Sequence, residues 1–276
     1  MSFRIPLPDD PFREYCFAKY GSIHNLIDKA NNGEVVAQAD LGLAYSQGFG
    51  DLLPRDYEKG IGWLTTAVNK GDESPVTLGK LGELLDRKGT SFYQRKAYEM
   101  YHRAAKQGCT NSQINLAEMY RCGVEGVVNE DIKEAFKWYK MAADEISNDS
   151  EPGEVRDLFN QTVNKLGDAV SGTKQRALKF LYKYYLEGDC PEGQPQPTKA
   201  VYYLTKAAEL GDTEAQLNLG QIYLNGHCEQ IKDASKAKRW LRKASANDDV
   251  LAKEVGTGPL ICSAKCMAIY YKPLPF

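Results

Sequence analysis

The sequence predicts an all-α fold: an α/α superhelical solenoid of helix-pair repeats, with N- and C-terminal capping helices. Three observations carry that expectation. The stretch 211–246 reads as two amphipathic helices joined by a short loop. Neither helix can bury its apolar stripe alone, so the pair needs neighbours. A large apolar residue then recurs in phase at Trp63, Met100, Trp138, Tyr203 and Trp240, a spacing of about 37 residues with one longer step, which is the signature of stacked helix pairs.

The stretch 211–246 serves as the template. Ala215, Leu219 and Tyr223 stand at i, i+4 and i+8, one stripe at about 100° per residue. Gly226 follows as a stop signal. Ala237, Trp240, Leu241 and Ala244 form one face of the second helix. Gly220 sits in the middle of the first helix, where glycine costs about 1 kcal/mol against alanine. A close helix–helix approach is the expected reason.

Taken in order, residues 1–32 give a proline-containing lead-in followed by helical patterning from Phe12 to Ala30, in which Leu26 and Ala30 match Trp240 and Ala244. This is a half-repeat that caps the array. Residues 33–146 hold three repeats. The first reproduces Ala37, Gln38, Leu41, Gly42, Tyr45, Gly48, Asp56, Lys59, Trp63 and Ala67. The second keeps Leu81 and Gly82, replaces the tyrosine by Leu85 and the tryptophan by Met100, and has a shortened loop. The third restores Leu116, Tyr120, Gly123, Asp131, Ala135 and Trp138. Residues 147–173 are an insertion, with an extra helix expected around 155–166 from Leu158, Val163 and Leu166. Repeats four and five occupy 174–246. The tail, 247–276, is expected to cap the last pair.

Composition bounds the function. The chain has 276 residues, 42% of them hydrophobic and 26% charged, with a net charge of −2. That balance offers no basic excess to neutralise phosphates, which argues against a nucleic-acid partner. No apolar run approaches the ~20 residues of a membrane span, so direct membrane insertion is not expected. The N-terminus lacks the basic and apolar regions of a secretory signal, and the seven cysteines are odd in number and irregularly spaced. The expected compartment is therefore the cytoplasm, or the periplasm if a leader was trimmed.

The order A-Q-x-x-L-G-x-x-Y-x-x-G, then D-x-x-K-A-x-x-W-x-x-K-A, resembles the Sel1-like repeat, a relative of the tetratricopeptide repeat. Here it stands as Ala215-Gln216, Leu219-Gly220, Tyr223, Gly226, Asp233, Lys236-Ala237, Trp240 and Lys243-Ala244. The departures are the second repeat, the insertion, and Glu134 at the lysine position of the third. The resemblance implies a non-catalytic scaffold or adaptor that binds another protein, often in bacterial signalling, envelope or host-contact processes. An alternative that it brings is an immunity protein neutralising an antibacterial, lipase-type effector.

An enzyme is the third class, and the residues argue against it. There is no G-x-S-x-G, P-loop or H-E-x-x-H, and His24, His102 and His227 fall in different repeats. Cys190 and Cys228 share a register, with His227 alongside, but two ligands do not make a zinc site of four. Cys262 and Cys266 are read as free thiols. The sequons at Asn148 and Asn160 are read as chance matches, and no metal or cofactor is expected.

A partner is expected on the concave face, lined by the first helix of each pair. With Leu41 at 0°, positions 40 and 43 turn away from the core stripe, at about −100° and 200°. The row that follows is Asp40 and Leu43, Lys80 and Glu83, Asn115 and Glu118, Phe180 and Lys183, then Asn218 and Gln221. Asp40, Leu43, Glu83, Asn115, Glu118, Lys183, Asn218 and Gln221 are the candidate partner-binding residues. Gln38, Gln113 and Gln216 lie nearer the core edge and are read as structural. Trp63, Trp138 and Trp240 are read as core residues.

Overall fold

In the computed structural model, residues 11–50, 52–144, 167–190 and 192–247 are described. They form twelve helices, in two compact units, residues 1–195 and 196–276. The expected helix over 155–166, the sequons at Asn148 and Asn160, and the tail with Cys262 and Cys266 lie outside the described residues.

The first unit opens with a cap of two helices, α1 (Pro11–Tyr20) and α2 (Ile23–Asn31). Gly21 takes a positive φ of 75° at the break. Ser22 then starts α2, its Oγ accepting from the Asn25 N–H at 3.2 Å, a side-chain N-cap that satisfies one orphan donor. Three complete pairs follow: α3 (Val35–Gln47) with α4 (Tyr57–Asn69), α5 (Pro75–Asp86) with α6 (Ser91–Lys106), and α7 (Thr110–Cys122) with α8 (Ile132–Asp144). The loop of the second pair is short, as its sequence suggests. A longer helix, α9 (Gly167–Glu187), closes the unit. Its first two turns occupy residues that the sequence reading assigned to the insertion. The second unit holds α10 (Pro197–Glu209), α11 (Thr213–Asn225) and α12 (Ala234–Asn247).

The repeat signature explains how each pair is built. Gly42 lets α4 approach so closely that a Cβ there would lie 2.7 Å from Leu64 Cγ. Gly82 does the same for Tyr101 at 2.8 Å, and Gly220 for Leu241 at 2.6 Å. The residue seated on the glycine is thus the one after the tryptophan position. Leu64, Tyr101, Tyr139, Leu204 and Leu241 are buried, whereas Trp63, Met100 and Trp138 are only half-buried. The expectation that Trp63 and Trp138 are core residues is corrected in that sense; Trp240 is buried.

The loop between the two helices of a pair is closed by the aspartate. The Asp56 N–H donates to the Tyr45 carbonyl at 2.8 Å, Asp131 to Tyr120 at 2.7 Å and Asp233 to Tyr223 at 2.8 Å. The same side chains cap the second helices, accepting from the N–H of Lys59, Glu134 and Lys236. Lys59 and Lys236 then place their ammonium groups over the rings of Tyr45 and Tyr223, at 5.3 and 5.2 Å. The third repeat has Glu134 at that position, and there the Tyr120 hydroxyl pairs with that of Tyr98 at 2.8 Å instead.

Successive pairs are joined by the glutamines. Gln38 Nε2 donates to the Ala30 carbonyl at 3.0 Å, Gln113 to Ala105 at 3.2 Å and Gln216 to Ala208 at 2.9 Å. Each caps the C-terminus of the preceding helix, where carbonyls lack intrahelical donors. This is the structural role that their position at the core edge suggests.

Candidate functional site

In the first unit the first helices of neighbouring pairs touch one another directly, α3 on α5, α5 on α7 and α7 on α9. The candidate row therefore runs over adjacent helices, and its fate differs along them.

At its start the row is closed. Asp40 and Leu43 are buried, at 3% and 4% exposure, because the cap helix α1 covers that side of α3. The Asp40 carboxylate accepts from the Tyr20 hydroxyl at 2.6 Å, Tyr15 at 3.2 Å and the Lys19 ammonium at 2.9 Å. Lys19 also lies 4.9 and 5.1 Å from the ring centres of Tyr15 and Tyr20. A buried carboxylate is tolerable only with such partners. Neither residue is offered to a partner protein, which corrects their assignment.

Beyond the cap the row is reachable. Glu83 on α5 accepts from Lys80 at 2.9 Å and from Arg87 at 3.2 Å. Asn115 on α7 is half-buried against the Tyr101 hydroxyl. Glu118 accepts from Arg121 at 2.6 Å, one turn away, and from Arg176 on α9 at 3.1 Å. Arg121 lies 5.1 Å over the Phe180 ring, which stacks on Tyr139 at 4.6 Å. Burial, then the Glu118 charge, raises the Tyr139 phenol above its ordinary value. Burial pushes the Tyr184 phenol up to about 12. Lys183 is exposed, 4.0 Å from Glu187. The structure thus brings Glu83, Asn115, Glu118 and Lys183 onto adjacent helices of one unit. Asn218 and Gln221 are half-buried on α11 of the second unit.

The sequence reading missed Arg87, Arg121 and Arg176, the cations that meet the row's carboxylates. The i+3 and i+4 spacings of Glu118–Arg121 and Glu83–Arg87 were visible signals. Arg176 had none, because it reaches Glu118 from another repeat.

The other candidate groups are described each within its own unit. Cys190 belongs to the first unit, where its thiol donates to the Gln194 carbonyl at 3.4 Å. Cys228 belongs to the second, and burial followed by the Glu229 charge pushes its thiol up. Among the described residues no three His, Cys, Asp or Glu side chains are grouped to hold a metal ion. His102 stacks on Tyr98 and meets Trp138 edge-on, and burial together with Lys106 lowers its pKa. No helix among the described residues is long and apolar enough to cross a membrane.

The paired helices, the glycine contacts and the glutamine caps define an α/α repeat protein. The Sel1 repeat family pattern matches residues 35–72, 94–109, 110–146, 175–212 and 213–249, more than half of the chain. The chain belongs to the Sel1 repeat family. Only the second half of the degenerate second repeat is matched, in keeping with its altered first helix. A solved Sel1 repeat protein from Oxalobacter formigenes is similar, with a TM-score of 0.60 and 25% identity, covering 88% of this chain and 91% of that one.

The chitin synthase regulator SKT5 of Saccharomyces cerevisiae is 26% identical over 205 residues, 71% of this chain and 25% of that protein. Chitin synthase regulatory factor 3 of Schizosaccharomyces pombe is 33% identical over 103 residues, 36% of this chain and 11% of that protein. The chain spans a quarter or less of the length of these curated relatives. Sel1 repeats are a protein-interaction scaffold, and this is not a typical enzyme fold.

Proposed function

We propose that this chain is a non-catalytic cytoplasmic scaffold that holds a partner protein along the first-helix row of its first unit, from Glu83 through Glu118 to Lys183. The observation that carries the reading is the division of labour within each pair. The apolar stripes are consumed between the helices, while the row keeps polar side chains within reach of solvent, and Glu118 and Arg176 tie neighbouring first helices into one surface. Such a surface suits an extended or helical segment, which it meets through hydrogen bonds. The names of the curated relatives favour a partner that is itself an enzyme, regulated by being bound.

The test is capture from native lysate by the full chain, compared with the variants Lys183→Glu and Arg176→Glu. Both residues are exposed, so helicity should be unchanged while capture of the main partner falls about tenfold. Equal capture by all three proteins would remove the site from this row. A single stoichiometric partner that is a lipase-type effector and loses its toxicity on binding would instead favour the toxin-neutralising role.

A further inference from the structure

Each charge of the first-helix row already has a partner on or beside the row. Glu83 has Lys80 and Arg87, Glu118 has Arg121 and Arg176, and Lys183 has Glu187. Cations without a carboxylate partner lie on another surface of the first unit, at the turns between the two helices of its pairs.

There the side chains form a contiguous aromatic and cationic strip. Arg55 and Arg87 lie 6.0 and 5.4 Å from the Tyr57 ring centre. Lys88 pairs with Glu58 and lies 5.9 Å over Tyr93. Tyr93 meets Phe92 edge-on at 5.2 Å, and Lys96 sits 4.5 Å over Phe92. Phe92 is 62% exposed and Tyr57 37%, so neither ring is spent on the core. Single exposed apolar side chains need no explanation, but here they adjoin one another and share their cations.

The charge balance points to what they meet. Arg55 donates to the Gln47 carbonyl at 3.1 Å, Arg95 donates to the Gly126 carbonyl at 2.8 Å, and Lys96 faces only a ring. None of the three has a carboxylate partner among the described residues, whereas the carboxylates of the strip are paired, Glu58 with Lys88 and Asp56 with Lys59. A tyrosine held between two arginines has the composition enriched at interface anchors, and the uncompensated cations would attract and orient an acidic segment.

We propose that this turn edge, from Arg55 and Tyr57 to Phe92 and Lys96, is a second docking surface, and that its occupant is an acidic protein segment carrying an aromatic anchor. The acidic side chains meet Arg55, Arg95 and Lys96, and the anchor packs on Phe92. A scaffold with one face of paired charges and one edge of unpaired cations holds two partners of different character at once.

The test uses the full chain and a fluorescein-labelled peptide of glutamates around a single phenylalanine, read by anisotropy. The expected result is binding that weakens as salt is raised, since exposed charges are screened. It should fall about tenfold in Arg55→Glu and in Lys96→Glu, and severalfold in Phe92→Ser. Lys96 is exposed and lies over the Phe92 ring, so its variant keeps the fold even where Arg55→Glu does not. Lys183→Glu, on the first-helix row, should leave peptide affinity unchanged, which separates this proposal from the one above. The proposal is overturned by absence of peptide binding, by equal affinity in the charge-reversed variants, or by equal affinity for a lysine-for-glutamate peptide. Binding to phosphatidylserine vesicles without peptide affinity would also overturn it.

Discussion

Asp40 shows how one side chain decides what a face is for. It is nearly enclosed, and two tyrosine hydroxyls and the Lys19 ammonium converge on it from α1. Asp40→Asn keeps the volume and removes the charge that these donors meet. The expected loss is about 2 kcal/mol, since hydrogen bonds to a charged group contribute more than neutral ones. It should appear as a lower urea midpoint and as faster proteolysis within 11–31. An unchanged midpoint would mean that the cap is held by Phe12, Cys16 and Ile23 alone. The helical period placed Asp40 correctly off the core stripe of α3. What the period does not contain is the second layer: α1 lies on that side, and no local pattern in residues 35–47 announces it. The same period placed Glu83, Glu118 and Lys183 in reach of solvent, because among the described residues no cap helix covers α5, α7 or α9 there.

The pair of helices is the level at which the sequence was most legible, and its mid-helix glycines show why. Gly42 costs helix propensity, so only a close contact justifies it, and Leu64 supplies that contact through its side chain and its backbone nitrogen, 2.9 Å from a would-be Cβ. Gly42→Ala should therefore destabilise by about 1–3 kcal/mol, the usual cost of overpacking, even though alanine is the better helix former. Gly62, on the exposed face of α4, has nothing within 4 Å of a would-be Cβ. Gly62→Ala should raise stability by about 0.5–1 kcal/mol. Thermal melts of the two variants should shift in opposite directions; a shared direction would mean that propensity rather than packing sets both. The tryptophan position was read less well for a geometric reason. Adjacent helical residues differ by about 100°, so Trp63 and Leu64 share one broad apolar face. Only the position of the partner glycine decides which of them is enclosed.

At the scale of the first unit, stability is assembled from neighbours. Each helix packs on the next, α2 on α3, α3 on α4, α4 on α5 and so on to α9, and the further contacts include those between first helices of adjacent pairs and those of α1 with Asp40 on α3. The links that matter most for a binding surface join residues far apart in sequence, such as Glu118 with Arg176 and Arg95 with the Gly126 carbonyl, which is why the charge pattern of the surface was not legible while the repeats were. An array built this way is expected to lose structure locally, because each pair is supported chiefly by its two neighbours. A packing defect placed in the first pair by Gly42→Ala should therefore speed hydrogen exchange in α2 to α5, and the effect should fade before α8 and α9. Peptide-resolved exchange of the variant against the parent protein measures this directly. A uniform rise from α1 to α9 would instead show that the unit opens as one cooperative block. In that case the cap at Asp40, the first-helix row and the turn edge would rise and fall together, and occupation of one surface would stabilise the other. With local opening, each surface keeps its own stability, and two partners can be held independently.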